Sequence, residues 1–436
     1  MRKNDLRLGQ GARIAVVGGG PAGSFFALHL LSNARAAGRA LEVTIFERKD
    51  FRCPGPRGCN MCAGILSSCV TSGLRALGLE VPQSVVMGHL HRYVLHWQRT
   101  TISIEQPDPT REILSVFRSA GPKDGDLTPE VSFDAFVLAQ AQEAGATIVS
   151  ERVVEIVFPP GRLPMLRTTQ RQAAFDLIVL ATGVNSRPPT FFGLNYHPPP
   201  TITMAQDELQ LERPADPSCV HIYCDEPTGL IFGGLVPKGE YVNVSLLGYG
   251  LSGTSLDHFL EKLCEKGVLQ SVPQRLCGCR PRVAVGPATG YYGDRFVAVG
   301  DAAVTRLYKD GIGSALQTAR WAATTALERG ISARAFRQGY HPMVKTIARD
   351  NRFGRLLFKS WQLVKGEGIM ATLGQRLLMY EQRLPPEQRA HSRLLWYMFT
   401  GDAPYCCIAY GLFSWPAMRN VLRAIWFQPA SKVQRV

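Results

Sequence analysis

Apolar and polar positions along the chain change period several times, and each change predicts an element. Arg13-Ile14-Ala15-Val16-Val17 is a buried-strand signal that breaks at Gly18. Beyond it, Ala27, Leu28, Leu30 and Leu31 are spaced for one helical face. A second run, Leu41 to Phe46, ends at Glu47. The three segments predict a β-α-β unit, because parallel strands need a crossover helix. An irregular stretch follows from Phe51 to Ser68, rich in proline and glycine and punctuated by cysteines. A helix is predicted from about Ser132 to Ala144 with Gly145 as its stop, and strand signals return from Thr147 to Phe158. Asp176 to Ala181 reads as a fully buried strand bounded by Thr182-Gly183, although a short apolar run by itself also fits a helix segment. Phe296 to Val299 is a further strand ending in Gly300-Asp301, followed by a long helix from Ser314 to Glu328 that Gly330 stops. Segments 80–120 and 200–285 alternate more and carry turn residues, which predicts an antiparallel β layer inserted between the α/β pieces.

The first glycine cluster carries chemistry. In Gly18-x-Gly20-Pro21-Ala22-Gly23, the first glycine permits a tight turn, the second lets backbone approach a pyrophosphate, and the third packs helix against strand. The helix N-terminus presents free N–H groups and a positive dipole end to phosphate. Glu47 lies where an acceptor for ribose hydroxyls belongs. A glycine-rich turn without ligand is the plainer alternative, and the motif alone does not choose between FAD and NAD.

Two later pieces bear on that choice. Leu180-Ala181-Thr182-Gly183 and Val297-Ala298-Val299-Gly300-Asp301-Ala302-Ala303 occur in the order found in FAD enzymes resembling para-hydroxybenzoate hydroxylase. The resemblance implies that Gly300 and Asp301 meet the ribityl-pyrophosphate part of FAD, with Asp301 accepting a hydroxyl. A simple helix cap is the alternative for that aspartate. Gly311-Ile312-Gly313 resembles the turn that brings backbone against the flavin ring. Within this superfamily the chain most resembles the geranylgeranyl reductase family. The resemblance rests on the glycine fingerprint, on Cys59-Asn60-Met61-Cys62-Ala63-Gly64-Ile65-Leu66-Ser67, on Pro237-Lys238-Gly239-Glu240-Tyr241-Val242-Asn243-Val244, and on the Gly300–Gly313 stretch. It spans roughly residues 12–330.

The fold implied is α/β: a Rossmann-type FAD-binding domain (1–80, 121–195 and 286–330) interleaved with an antiparallel β-sheet substrate domain (81–120 and 196–285), plus a mainly helical C-terminal segment (331–436). FAD contacts are expected at Gly18, Gly20, Pro21, Ala22, Gly23, Glu47, Arg48, Arg118, Thr182, Gly183, Gly300, Asp301, Gly311, Ile312 and Gly313. Arg118 is included as a substitute for an arginine that the family carries nearer the Phe133-Asp134 helix. The activity implied is reduction of carbon–carbon double bonds of an isoprenoid or other lipid-like substrate by hydride from reduced FAD. Two alternatives are a monooxygenase on the same fold and a non-catalytic flavin-binding protein associated with membrane. No second nucleotide fingerprint follows, so NAD(P)H binds transiently or electrons arrive from a protein carrier. The chain departs from the family at Phe232, Gly234 and Val236, where Tyr, Trp and Phe are usual.

Cysteines within the proline- and glycine-rich stretch admit several readings. Cys53, Cys59, Cys62 and Cys69 offer one close pair flanked by singles, whereas zinc and iron–sulfur sites usually want two close pairs. No metal is therefore assigned. Cys59 and Cys62 as a redox pair, and small residues packing a tight loop, both stay open. The family resemblance puts Cys62 on the substrate side of the flavin as the catalytic candidate, positioning substrate or donating a proton. Of His89, His91 and His96, strand spacing puts only His89 and His91 on one face, which is read as a solvated β face.

Charge changes the picture last. The 436 residues carry a net charge of +14, and +11 of it lies from Ile331 onward, where sixteen Lys and Arg face five Asp and Glu. Trp361, Trp396, Trp415 and Trp426, four of the six tryptophans, share that segment. From Ala403 to Met418 no residue is charged, but that stretch is too short and too broken by proline to span a bilayer. Two readings fit: docking on an anionic membrane surface, or a helical cap with aromatics inward and basic residues in water. No nucleic-acid motif accompanies the charge. Without an apolar leader in MRKNDLRLGQ, a cytoplasmic location is expected, peripheral to the inner membrane face if the tail docks.

Overall fold

Strand β1 (Ala12–Val17) pairs in parallel with β2 (Leu41–Phe46) on one side and with Leu177–Leu180 on the other. Helix α1 (Pro21–Ala36) is the crossover between β1 and β2. A computed structural model describes residues 6–98, 100–212, 214–225 and 229–427; the start of the N-terminal stretch and residues 428–436 of the basic segment lie outside the described residues. The parallel sheet continues through Phe296–Ala298 beyond Leu177–Leu180 and through Thr147–Val149 beyond β2. An antiparallel strand, Tyr292–Gly293, closes one edge. The strand order reverses at β1, and in such sheets ligands bind outside the carboxyl ends of the strands at that reversal. Helices α1 and Gly311–Glu328 pack on one another, small residues such as Ala22, Ala315 and Ala319 being buried along them.

The chain divides into two compact units: Met1–Met87, Val116–Thr203 and Cys279–Arg349 in one, Gly88–Ser115, Met204–Gly278 and Asp350–Val436 in the other. The first holds the parallel sheet. Its strand signal from Thr147 to Phe158 resolves into two strands of different sheets. Thr147–Val149 edges the parallel sheet, while Val153–Val157 joins a four-stranded sheet with Met165–Thr168, Gln172–Ala174 and Thr190–Phe192. Glu151 makes the break. Its carboxylate accepts from the Thr168 hydroxyl and pairs with Arg171, so the backbone turns there.

In the second unit a six-stranded sheet runs in the order Ala205–Gln210, Tyr241–Gly248, Leu230–Lys238, Cys219–Tyr223, Arg92–Trp97 and Thr100–Glu105. The segment 200–285 adds to its strands a helix, Gly253–Glu265, that the sequence reading did not place. Ser252 caps it by accepting from the Ser255 N–H. Leu256, Phe259, Leu260 and Leu263, at helical spacing, face the sheet residues Ala205, Tyr223, Val244 and Leu246. The C-terminal aromatics divide between interior and surface. Trp361 packs on Trp97 and Trp396 on Tyr93, each pair 5.3 Å apart, while Trp415 and Trp426 point to solvent. His89 and His91 are exposed and stacked, but His96 is half-buried, stacked on Tyr223 and bonded to His221.

Candidate functional site

Four loops leave the carboxyl edge of the parallel sheet, and each carries one of the expected groups. Gly18 follows β1, Glu47 follows β2, Thr182-Gly183 follows Leu177–Leu180, and Gly300-Asp301 follows Phe296–Ala298. Gly18 has φ +108°, and a Cβ there would stand 2.5 Å from the Ala181 carbonyl oxygen. The glycine turn thus rests directly on the Thr182 loop. At Gly23 a Cβ would fall 1.9 Å from the Gly18 oxygen, so only glycine lets α1 start so close to β1. Gly300, with φ +61°, plays the same part from the other side: a Cβ would meet that of Ala22 at 2.7 Å, and its N–H donates to Thr318 Oγ1. Close approach at Gly300 therefore brings Asp301 beside the first turn of α1.

No side chain caps α1; its first helical residue is Pro21 and its cap is Gly20. The first-turn N–H groups of Ala22 and Gly23 have no intrahelical acceptor, an arrangement suited to an anion. Glu47 holds the turn open. One carboxylate oxygen accepts the Gly19 N–H at 2.8 Å and the other the Lys49 N–H at 2.9 Å, and each oxygen keeps a lone pair for a hydroxyl donor. Arg48 is exposed beside it. Burial pushes the Asp301 carboxyl above its ordinary value, against the Thr305 hydrogen bond and the Arg118 charge. That carboxylate lies against Gly311, 3.7 Å from where a Cβ would be.

Gly311-Ile312-Gly313 is the first turn of the Gly311–Glu328 helix, which begins three residues before the expected Ser314. Asp310, left-handed at φ +53°, caps it by accepting the Gly313 N–H, and its carboxylate fills the space that a side chain at 313 would need. Gly311 remains open toward Asp301; Ile312 is buried.

The cysteine loop comes to the same place. Its Asn60 amide nitrogen lies 3.2 Å from a Cβ position on Gly20 and donates to Asp134, while Lys49 Nζ donates to the Cys59 carbonyl at 2.6 Å and to Asn60. Asp134 in turn receives Nε and a terminal nitrogen of Arg118, an ion pair buried on both sides. Burial works against the Arg118 charge, but Asp134 more than offsets it and keeps the guanidinium protonated. Farther along, Ser67 Oγ donates to Asp310 at 2.7 Å. Between Asn60 and Ser67 the loop therefore runs from the glycine turn to the start of the Gly311–Glu328 helix, carrying Cys62 with it. Within it, Met61 is left-handed, Cys59 Sγ accepts the Met61 N–H, and Cys62 Sγ accepts that of Gly64 at 3.5 Å. No disulfide is formed by the described residues. They also contain no group of three His, Cys, Asp or Glu placed to hold a metal ion.

The structure thus brings Gly18–Gly23, Glu47, Thr182-Gly183 and Gly300-Asp301 to one sheet edge, with Gly311 beside Asp301 and Cys62 on a loop that also reaches Gly20. Arg118 acts on that loop through Asp134 and Asn60. Lys49, Asn60, Asp134 and Asp310 are the residues that sequence reasoning missed. Asn60, Asp134 and Asp310 make contacts across 74 to 243 residues, and Lys49 bonds a loop ten residues on; nothing in local spacing announces these contacts.

A parallel sheet with a glycine turn at its switch point and an acid after the second strand defines a dinucleotide-binding α/β fold. The same architecture recurs in solved flavoproteins. The structure is similar to a geranylgeranyl bacteriochlorophyll reductase-like protein from Thermoplasma acidophilum, with 16% identity, 95% of this chain and 99% of that one covered, and a TM-score of 0.64. It is similar also to a flavoprotein/dehydrogenase from Cytophaga hutchinsonii (13% identity, 95% and 100% covered, TM-score 0.65) and to a flavin-dependent halogenase (17%, 96% and 77%, TM-score 0.61). No protein-family model and no curated protein sequence matches the chain. At these identities the likeness shows the fold.

Proposed function

We propose that the chain is an FAD-dependent oxidoreductase that reduces a carbon–carbon double bond of a lipid-like substrate. The observation that carries this reading is the convergence of Gly18–Gly23, Glu47 and Gly300-Asp301 on one sheet edge. A pyrophosphate fits the uncapped N-terminus of α1, the adenosine ribose fits Glu47, and the ribityl hydroxyls fit Asp301. FAD, when bound and reduced, supplies hydride. The chain's part is to hold the substrate, exclude water and deliver the second hydrogen as a proton. Cys62, on the loop between Asn60 and Ser67, is the proposed proton donor, and the buried Arg118–Asp134 pair fixes that loop through Asn60. Electrons arrive from NAD(P)H or a protein carrier. Anaerobic mixing of the dithionite-reduced protein with unsaturated lipids tests the reaction: reoxidation of flavin with saturation of one double bond is expected. Cys62→Ala is expected to slow that reoxidation at least tenfold with flavin content unchanged. Wild-type rates in the variant would remove the cysteine from the chemistry, and substrate-dependent oxygen uptake with hydroxylated product would establish the monooxygenase reading instead.

The C-terminal helix Trp415–Ile425 supports a membrane-facing role. Ala417, Asn420 and Ala424 are buried, while Trp415, Met418, Leu422 and Ile425 form an exposed apolar stripe, flanked by Arg419 and Arg423 and followed by Trp426, 87% exposed. An apolar face with basic flanks and no acid suits the interface of an anionic bilayer. None of the described helices is long and apolar enough to cross a membrane. Cosedimentation with phosphatidylserine-containing liposomes is expected, weakening with salt and falling at least fivefold in a Trp415→Ser, Leu422→Ser double variant. Equal sedimentation of the two proteins would oppose it.

A further inference from the structure

Helix Trp415–Ile425, within the second unit, shows the reverse of the packing that hydrophobic burial alone would select. Its inward residues, Ala417, Asn420 and Ala424, follow one another at helical spacing and are fully buried, and none of them is a large apolar side chain. Trp415, Met418, Leu422 and Ile425 repeat the same spacing on nearly the opposite side and stand 47–71% exposed. Apolar burial alone would turn the second stripe inward and the first outward. A contact of another kind therefore sets which way the helix faces.

Asn420 supplies that contact. Its amide nitrogen donates to Glu381 Oε1 and to the Gln388 carbonyl, each at 2.9 Å. Glu381, the last residue of helix Ile369–Glu381, is itself fully buried. Its Oε1 also accepts the His391 N–H at 2.9 Å and lies 2.9 Å from His391 Nδ1. Its Oε2 accepts the Ser392 N–H at 2.8 Å and the Ser392 hydroxyl at 3.0 Å, both in the first turn of helix Ala390–Thr400. Burial works against the Glu381 charge, but the hydrogen bonds from His391, Asn420 and Ser392 more than offset it and hold the carboxyl below its ordinary value. Asn420 thus faces an ionised acceptor fixed by two other helices.

The other polar atom of that amide, Asn420 Oδ1, is buried without a hydrogen-bond partner. An amide buried with one atom unsatisfied adds little stability. A single buried asparagine between helices is, however, the best-attested device for fixing their register. Just beyond the helix, the Phe427 ring lies 5.7 Å from Tyr380 and 4.6 Å from the Arg383 guanidinium, a tether that does not involve Asn420.

We infer that Asn420 is a positioning residue: bonded to Glu381, it pins the rotation of helix Trp415–Ile425 so that the apolar stripe is presented to an anionic bilayer and does not collapse onto the body. The inference rests on the membrane-facing reading above and explains how a water-exposed apolar face is kept available. Helical spacing puts Arg419 and Arg423 between the two stripes, where they give the presented face the charge that an anionic surface takes.

Asn420→Ala in the full-length protein, without lipid, tests it. The change lies on the packed face only, and Glu381 keeps its bonds to His391 and Ser392. Hydroxyl-radical footprinting read by mass spectrometry is expected to label Met418 and Leu422 at least threefold less than in wild type. Tryptophan emission is expected to move to shorter wavelength as Trp415 leaves water. Amide exchange across 415–425 is expected to stay at wild-type rates, because a turned helix keeps its own hydrogen bonds. Adding Leu422→Ser and Ile425→Ser weakens the apolar drive inward and is expected to restore the labelling of Met418. Cosedimentation of Asn420→Ala with phosphatidylserine-containing liposomes is expected to fall at least threefold, although no exposed residue has changed. Wild-type labelling of Met418 and Leu422 in Asn420→Ala overturns the pin, as does Met418 that stays protected in the triple variant. Increased labelling with faster amide exchange also overturns it, being the mark of a residue that merely supports the helix. Wild-type protein that ignores the liposomes counts against the membrane-facing reading alone, while the footprint shift, measured without lipid, upholds the pin.

Discussion

Gly23→Ala is expected to lower FAD content at least tenfold and to destabilise the protein by at least about 2 kcal/mol. The added methyl would stand 1.9 Å from the Gly18 carbonyl and 3.0 Å from Val16 Cγ1. Neither neighbour is the tip of a flexible side chain: one is turn backbone and the other a buried strand residue. Helix α1 must therefore lift off β1, and overpacking of this kind costs about 1–3 kcal/mol, occasionally more. The shift also moves the N–H groups of the first turn, so the anion site and the stability fail together. Flavin absorbance per chain and a urea midpoint check both. Wild-type values for the alanine variant would mean that helix and strand are not in this contact.

Asp134→Asn is the second large effect. Arg118 and Asp134 are both buried, and two nitrogens of the guanidinium reach the carboxylate. Removing one charge of such a pair strands the other, at about 3–5 kcal/mol. A melting point lower by about 10 °C is expected for a unit of this size. Because Asn60 also donates to Asp134, the loop bearing Cys62 should become more accessible, read as faster alkylation of Cys62 by iodoacetamide. The double replacement Arg118→Met, Asp134→Leu is expected to recover most of the stability and none of the loop order. A neutral Asp134→Asn would show that the pair is solvated.

Much of the parallel sheet was legible because its strands are mostly buried and rich in apolar residues: β1, β2, Leu177–Leu180 and Phe296–Ala298 fall within a residue or two of their signals. The same property hid the division after Val149, since periodicity gives a strand's character and not its sheet. Helix Gly253–Glu265 escaped because its apolar residues sit in a segment whose flanks alternate; its Ser252 cap was the available clue. Glycines with a steric reason, such as Gly18, Gly23 and Gly300, announce themselves by motif. Lys49, Asn60 and Asp134 do not, because their partners lie up to 74 residues away.

FAD uptake by the purified full-length protein tests the central claim most directly. Desalting after incubation with excess FAD should leave one flavin per chain, with the visible bands of a bound flavin, and the Asp301→Ala variant should retain far less. A wild-type protein that emerges colourless, with FAD eluting entirely in the small-molecule fraction, would contradict the account.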